Sequence, residues 1–542
     1  MKRFFSQTLI LSLLLALAFS ALGGSTARAD GLPQVSLVTL GTPYTQNFDT
    51  LSKTAGTTTN LLVIDGWYLI ETGGGARDNE QYAVDTGASG TGDIYSYGAA
   101  SATDRALGGL SSGTLIPTYG ASFTNYTGYT IDTLAISYVG EEWRLGFAGR
   151  TDRLDFQYSL DATTLTNGSW TDVNALDFTT PDATAPTGTK DGNAAGYRTS
   201  ITSTLSGLNI PNGATFWIRW NDSDASNADD GLAVDDFSLA AYSCQHIVVM
   251  NANNSGAGSL RQAIADACAG GTITFDEAVF STAQTITLAS SLAIAKDVTI
   301  DGSTVAVPPT IGNNTSVTIF NITGGNVTLD GLVISDGSVG ISNTASGKTL
   351  TLRNSTISDH VNYGMVSLSA VNVHNSVFIN NHTTSDGGAI MSQGAMTITN
   401  SVFLNNSASV DGGAISARGT TTIVNSTFTG NTAGQGGGAV VVYSTATIIN
   451  STLSGNSVIL SAVNYYYGDQ LFINGGTLHL YNTILANGPN GADCRKNSGT
   501  ETVDGTNNLI QKEMGGSYSC SPGTTNPITG QNPLVGGLGS YG

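Results

Sequence analysis

Between residues 371 and 440 the chain repeats itself every 25 residues. Residues 371–390, 396–415 and 421–440 read VNVHNSVFINNHTTSDGGAI, MTITNSVFLNNSASVDGGAI and TTIVNSTFTGNTAGQGGGAV. One Asn series runs Asn354, Asn375, Asn400, Asn425, Asn450 and Asn482. A second sits six residues later at Asn381, Asn406, Asn431 and Asn456, with His360 holding that place one coil earlier. The pairs Gly387-Gly388, Gly412-Gly413 and Gly437-Gly438 keep the same period. Such a period constrains a fold severely, because one unit of this length cannot bury its own Val, Ile and Phe and must stack on the next. Three short strands and no helix per unit describe one coil of a right-handed parallel β-helix, with coils stacked at the ~4.8 Å strand spacing. The repeated Asn then forms an internal amide ladder. Gly pairs turn the corners, and Phe378, Phe403 and Phe428 stack in the core, with Leu453 ending the file. Strands begin by Thr285–Leu288, which predicts nine or ten coils.

An open β-helix end exposes unpaired backbone. Ser259-Leu260-Arg261-Gln262 reads as a capping box opening a short helix, with Leu260, Ile264 and Ala267 on one face and Gly270-Gly271 ending it. This helix is expected to plug the first coil. The four cysteines form two local couples. In an exported chain Cys244–Cys268 and Cys494–Cys520 are the favoured pairing of three. Export is indicated by Met1-Lys2-Arg3, the apolar run Leu9–Leu22 and the small-x-small site Ala27-Arg28-Ala29, a signal peptide (1–29) cleaved near Ala29. No later run is long and apolar enough for a transmembrane helix.

Residues 30–243 precede the repeat region and differ from it. They carry 25 acidic and 9 basic residues, against 15 and 8 in 244–542. Short alternating runs such as TLAISY (Thr133–Tyr138), LDFQYSL (Leu154–Leu160) and TFWIRW (Thr215–Trp220) predict a two-sheet, jelly-roll-like β-sandwich. The expected organisation is therefore all-β: sandwich 30–243, capping segment 244–284, β-helix 285–542. The pI near 4.3 argues against nucleic acid and anionic lipid, which need basic patches.

The segment GAGSLRQAIADACAGGTITFD (Gly256–Asp276) resembles the leader that precedes β-helix repeats in secreted bacterial surface proteins of the CSLREA type. The GGA[IV] and FxxN repeats resemble those of polymorphic outer-membrane adhesins, within the pectin-lyase-like class. ADC (Ala492–Cys494), NNLI (Asn507–Ile510) and NPLVGGLGSYG (Asn532–Gly542) resemble the C-terminal part of the first family, where more chain follows, so the β-helix is expected to be truncated here. The first block, with NFDTL (Asn47–Leu51) and FWIRWNDSDASNADDGLAVDDFSL (Phe216–Leu239), resembles β-sandwich modules of secreted multidomain proteins. By analogy such modules hold structural calcium or bind glycans. The resemblances imply a secreted or cell-surface adhesive or structural protein whose partners are extracellular glycans or surface proteins.

Three groups of residues carry possible chemistry. Asp222, Asp224, Asp229, Asp230, Asp235 and Asp236, with Asp49, offer the oxygen-rich environment calcium takes; the competing reading is a solvated acidic turn. Asp386 and Asp411 fall at equivalent places in neighbouring coils, which puts their carboxylates about 5 Å apart, close to a retaining glycosidase pair. His360, Asp359 and His382 lie in nearby coils. A carbohydrate-active enzyme is the resulting alternative, set against turn Asp residues and a His standing in the ladder. Known lyases of the fold use calcium-binding acids plus a basic residue, yet only Arg353 and Arg418 are basic in the repeat core, and no run resembles the Asn-Thr-Asp, Gly-His-Gly or Arg-Ile-Lys signatures of polygalacturonases. Acidic polymers are thus disfavoured as substrates. Finally, Tyr465-Tyr466-Tyr467 cannot all face a core, so at least one is expected to present an aromatic face to a sugar or protein. A lectin-like role for the sandwich is the third reading.

Overall fold

The computed structural model describes residues 34–535, apart from 76, 223, 313–316, 460–467, 514–515, 521–523 and 526. The leader with its cleavage site and Tyr465-Tyr466-Tyr467 lie outside the described residues. The chain divides into two compact units, with the boundary between Ser243 and Cys244.

The first unit is two β-sheets closed on one core. One sheet runs Val35–Leu37, Ile116–Asn125, Thr215–Asp222, Arg153–Ser159, Thr171–Asp172, with Trp67–Thr72 pairing Ile116–Asn125. The other runs Gly188–Thr189, Ile131–Leu145, Gly231–Tyr242, Ala106–Leu110, Asp93–Tyr97, Tyr82–Asp85, with Arg198–Ile210 on Ile131–Leu145. The alternation seen in the sequence places Trp220, Phe156 and Phe216 inward from the first sheet, and Tyr138 and Phe237 from the second. Trp220 is the hub. Its ring lies 5.2 Å from Tyr138 and from Phe156, 5.7 Å from Phe237 and 6.0 Å from Tyr119 and Trp67. Aromatic pairs at these separations add stabilisation beyond the area they bury.

The second unit is a parallel β-helix of about ten turns. Its sheets are continuous ladders of parallel strands: one of twelve strands from His246–Val249 to Thr524–Thr525, one of eleven from Thr285–Thr287 to Ile528–Thr529, one of nine from Leu292–Ala295 to Cys494–Lys496, and a short one of four. The first sheet begins earlier than Thr285: His246–Val249 and Gly271–Phe275 are already its first two strands, so the capping segment is itself part of the coil stack. The helix Leu260–Asp266 buries Leu260, Ala263 and Ile264. Ser259 accepts the Gln262 amide at 3.2 Å. The return half of the capping box does not form, because Gln262 turns to Asp266 and the Ser259 amide goes to Gly256 O. Both expected disulfides are present, with Cα separations of 5.1 and 5.8 Å.

The two Asn series do different work. The first occupies the corner between the twelve- and eleven-stranded sheets in the left-handed region, with φ from 48° to 51° at Asn354, Asn375, Asn400, Asn425, Asn450 and Asn482. Asn tolerates that region better than other side chains. These residues are exposed, and they hydrogen-bond from coil to coil on the outside. The second series forms the internal ladder. Asn381, Asn406, Asn431 and Asn456 are completely buried. Nδ2 of Asn381, Asn406 and Asn431 bonds to Oδ1 of the next Asn at 2.8–3.0 Å, and the same Oδ1 also accepts the donating Asn's own backbone N–H. The ladder ends on Gln470 Oε1, 2.6 Å from Asn456 Nδ2. Phe378, Phe403 and Phe428 stack at 5.0 and 4.5 Å, and Leu453 follows in register. The Gly pairs have two causes: Gly387, Gly412 and Gly437 have φ of 75°, 64° and 63°, while a Cβ on Gly388 would sit 2.4 Å from Ser407 O.

Asn431→Ala leaves the Asn406 backbone N–H and Nδ2 without their acceptor and the Phe403 carbonyl without its donor, and is expected to cost about 1–3 kcal/mol for each group left unpaired. Asn425→Gly keeps its left-handed corner and should cost less than about 1 kcal/mol. Phe403→Ala should cost about 3–5 kcal/mol. Denaturant midpoints of the three variants check this order.

Candidate functional site

The stacking brings Asp386 and Asp411 together with two residues that the sequence reading did not link to them. Both acids sit just before the Gly pairs, 6% and 7% exposed. Arg418 follows the strand Ile415–Ala417 and Tyr443 follows Val440–Val442. Arg418 Nη2 lies 2.6 Å from Asp386 Oδ2. Tyr443 Oη lies 3.4 Å from Asp386 Oδ2 and 3.2 Å from Asp411 Oδ2, so it bridges the two carboxylates. The guanidinium stands 4.8 Å from the centre of the Tyr443 ring. The Asp411 amide donates to Asp386 Oδ1 at 3.1 Å. Burial, then the neighbouring Asp386, push the Asp411 carboxyl up to about 6; Tyr443 and Arg418 pull against the rise. A carboxyl that keeps its proton up to about pH 6 beside an arginine-paired one is an arrangement able to exchange a proton or to hold a polyhydroxylated ligand. Each partner lies 32 positions after its acid, one period plus the Gly-pair-to-strand-end distance, so aligning the coils beyond the Gly pairs would have revealed both.

The histidines do not join this group. His360 is 1% exposed and takes an Asn position in the ladder. Its Nδ1 accepts the Gly337 amide at 3.1 Å, and Nε2 faces Ile334 O at 3.1 Å. Burial lowers its pKa, consistent with a neutral ring wedged between coils. His382 points outward, with Nδ1 2.9 Å from Ser407 Oγ. Asp359 has φ of 61° and accepts from Asn380 at the surface, a corner role like that of the exposed Asn series.

In the sandwich the acidic residues separate into two groups. Asp222, Asp229 and Asp230 lie at the turn between Thr215–Asp222 and Gly231–Tyr242, together with Asp152. Burial raises the Asp222 carboxyl well above its ordinary range; Asp152, Asp229 and Asp230 add to this, and the Ser111 amide offsets part of it. Asp235 belongs to a second group. Burial pushes it up to about 8, and Glu141, Asp236 and Asp104 act on it. Asp236 and Asp224 are exposed, as is Asp49, whose Oδ1 accepts the Arg105 amide at 3.2 Å. The six-residue calcium loop read from the sequence is thus two separate clusters. Among the described residues no three His, Cys, Asp or Glu side chains converge closely enough to hold a metal ion unaided. The sandwich also carries a cleft of about 460 Å³ lined by Leu61, Val63, Tyr68, Trp217, Leu165 and Glu80, among others.

Three stretches of the β-helix, 375–393, 400–418 and 425–442, match the Chlamydia polymorphic membrane protein repeat. They contain Asp386, Asp411 and Arg418. No curated protein matches the chain. Among solved structures, the Agl-KA catalytic domain is 13% identical, with 77% of this chain and 92% of that one aligned and a TM-score of 0.26. The catalytic unit of a GH87 α-1,3-glucanase from Streptomyces thermodiastaticus is 15% identical, over 78% and 93%, with a TM-score of 0.21. The K2 cleaved adhesin domain of Lys-gingipain is 16% identical, over 36% and 97%, with a TM-score of 0.22. Among the described residues no helix is long and apolar enough to cross a membrane.

The Asp411 shift gives a signed expectation. Its pKa rises from 3.8 to about 6 on folding, so the folded state holds this proton more tightly than the unfolded chain. The group therefore favours folding at low pH, and that contribution is lost as pH rises from about 4 through about 6. Asp411→Asn keeps a neutral side chain throughout. Its stability relative to the parent should climb across that window and level off above it, read from urea midpoints between pH 4 and pH 8; a pH-independent difference would contradict the assignment.

Proposed function

We propose that the chain is a secreted or cell-surface adhesion protein whose β-helix presents a glycan- or protein-binding face. The observation that carries this reading is the outer surface of the twelve-stranded sheet on the strands that alternate with the matched repeats. Thr397, Thr422 and Thr447 stand in register on neighbouring strands, followed two residues on by Thr399, Val424 and Ile449. These side chains are exposed or half-buried. They form an uncharged array of hydroxyls and methyls at the ~4.8 Å strand spacing. A face with few flexible charged side chains loses little side-chain entropy on contact. The polymorphic membrane protein repeats suit a surface adhesin-like protein. The pairing Thr422→Lys with Thr447→Glu, opposite charges on directly paired positions, should weaken binding of the full chain to a glycan array or to immobilised extracellular matrix proteins by roughly tenfold, with the circular dichroism spectrum of the fold retained. Binding untouched by the double substitution would remove this face from the reading.

A second reading has Asp386, Asp411, Arg418 and Tyr443 in its favour: hydrolysis of a neutral polysaccharide, with Asp411 as the proton donor. Water is the co-reactant: the Asp411 proton goes to the departing glycosidic oxygen as the bond to the anomeric carbon breaks, the water oxygen bonds to that carbon, and the proton it sheds goes to the Asp386 carboxylate. Release of reducing ends from neutral glucans that disappears in Asp411→Asn is the expected sign of it, and no release by the parent protein would dismiss it. For the lectin-like reading, the cleft beside Tyr68 and Trp217 is the supporting feature, since an aromatic-lined concavity suits a sugar ring.

A further inference from the structure

Lys190 follows the strand Gly188–Thr189, which pairs with Ile131–Leu145, and its amide donates to Trp143 O at 2.8 Å. Its side chain is 6% exposed, and a lysine is almost never buried unless it is paired. Nζ lies 3.3 Å from Asp182 Oδ2 and 5.1 Å from the centre of the Tyr197 ring. Asp182 stands on the loop that leaves the first sheet after Phe178–Thr179 and enters the second at Gly188–Thr189. Its other oxygen, Oδ1, accepts both the amide and the hydroxyl of Thr184, at 3.0 and 2.5 Å. Glu142 completes the group. It is completely buried; Oε2 accepts the Asp182 amide at 3.1 Å, and Oε1 has no hydrogen-bond partner. Burial pushes its carboxyl up to about 7, with Asp230 and Asp182 adding to the rise and the Asp182 amide and Lys190 opposing it.

An ordinary ion pair needs neither this burial nor a third acid. The group instead holds the parts of an acyl transfer: an amine, a carboxyl within its reach, two donors on the oxygen that would carry negative charge, and an acid that keeps its proton near neutrality. We propose that Lys190 and Asp182 join side chain to side chain in an isopeptide bond, with Glu142 as the proton carrier. Thr184 and then Lys190 hold Asp182 below its ordinary range, so the resting pair is ionised. The first step moves one ammonium proton from Nζ to Oδ2 across the 3.3 Å contact. The neutral amine then attacks Cγ, and the amide and hydroxyl of Thr184 hold the charge that collects on Oδ1. Glu142 gives its proton to Oδ2, the Cγ–Oδ2 bond breaks, and water leaves by the side of Asp182 that is 24% exposed. Glu142 recovers a proton from Nζ. Of the three ammonium protons, two depart in the water and one stays on the new amide, so no further reactant is needed. Holding both groups in contact makes the step intramolecular, which removes much of the barrier to joining them. The bond ties the loop between the sheets to the entry of the second sheet, and such a link takes freedom from the unfolded chain.

The test maps the full, folded chain by trypsin digestion and tandem mass spectrometry. Cleavage in this stretch follows Arg153, Lys190 and Arg198. An unlinked chain yields 154–190 and 191–198. The linked chain resists cleavage after Lys190 and should yield one peptide, 154–198, lighter than its sequence by one water, with fragment ions that join Asp182 to Lys190. Lys190→Arg and Asp182→Ala should each abolish the loss, so that the intact masses of the parent and Lys190→Arg differ by the residue exchange plus one water. Glu142→Gln should leave most of the chain unlinked. Asp191-Gly192 can also shed water as a succinimide; a loss that persists in Lys190→Arg would assign it there and overturn the proposal. Should Lys190→Arg fail to fold, Asp182→Ala and the parent's fragment ions still decide. Cleavage after Lys190 with full residue masses in the parent would reduce the contact to an ion pair and overturn the bond. Complete linkage in Glu142→Gln would overturn the role given to Glu142.

Discussion

Everything in the second unit depends on one relation: each coil must lie in register on the next. A parallel strand pair satisfies backbone groups along the strands but not at the corners, where the chain turns and its N–H groups point inward. The buried amides of Asn381, Asn406, Asn431 and Asn456 solve this locally. Each one bonds the coil after it through its amide, accepts from the coil before it, and returns a bond to a strand carbonyl of that earlier coil, as from Asn406 Nδ2 to Phe378 O at 3.0 Å. A slip by one residue would break these bonds and would turn the Phe file outward at the same time. Ladder and aromatic stack therefore fix the same register independently.

That register also creates the carboxylate site. Asp386 and Asp411 meet because their coils stack, and Arg418 and Tyr443 reach them because the strands below the Gly pairs end at a constant offset. The site is a by-product of periodicity that has been made chemically asymmetric. Equivalent positions hold Asp386, Asp411 and Gly436 before the Gly pairs, and Gln393, Arg418 and Tyr443 after the strands. Two acids therefore share one arginine and one tyrosine, and Asp411 is the member whose carboxyl is raised. In the sandwich the logic is different. Its acids are brought together by the turn between two long strands that belong to different sheets, so sequence neighbours such as Asp230 and Asp235 separate into unlike surroundings.

These differences explain what the sequence disclosed. Repeat period, coil architecture, the Phe stack, the capping helix and both disulfides could be read directly, because each rests on spacing along the chain. Assigning the inner ladder needed the corner geometry: both Asn series recur at 25 residues, and only backbone conformation tells the exposed left-handed corner from the buried bridge. His360 was legible as a ladder substitute for the same reason. Arg418 and Tyr443 were missed because they act across two coils. The start of the first sheet at His246 was missed because its two opening strands flank a helix and carry no repeat motif. In the sandwich, a run of six acids invited one site where the pleat, which sends alternate residues to opposite faces, makes two.

The central claim is that the buried asparagine ladder ties coil to coil. Hydrogen exchange measured on peptides that cover individual coils tests it most directly. The backbone N–H groups of Asn381, Asn406 and Asn431, each bonded to the next asparagine's Oδ1 at 2.9–3.0 Å, should be among the slowest in the molecule and should open together, since one coil cannot release its neighbour's amide alone. Exchange of these groups coil by coil, at the rate of ordinary surface turns, would contradict the account.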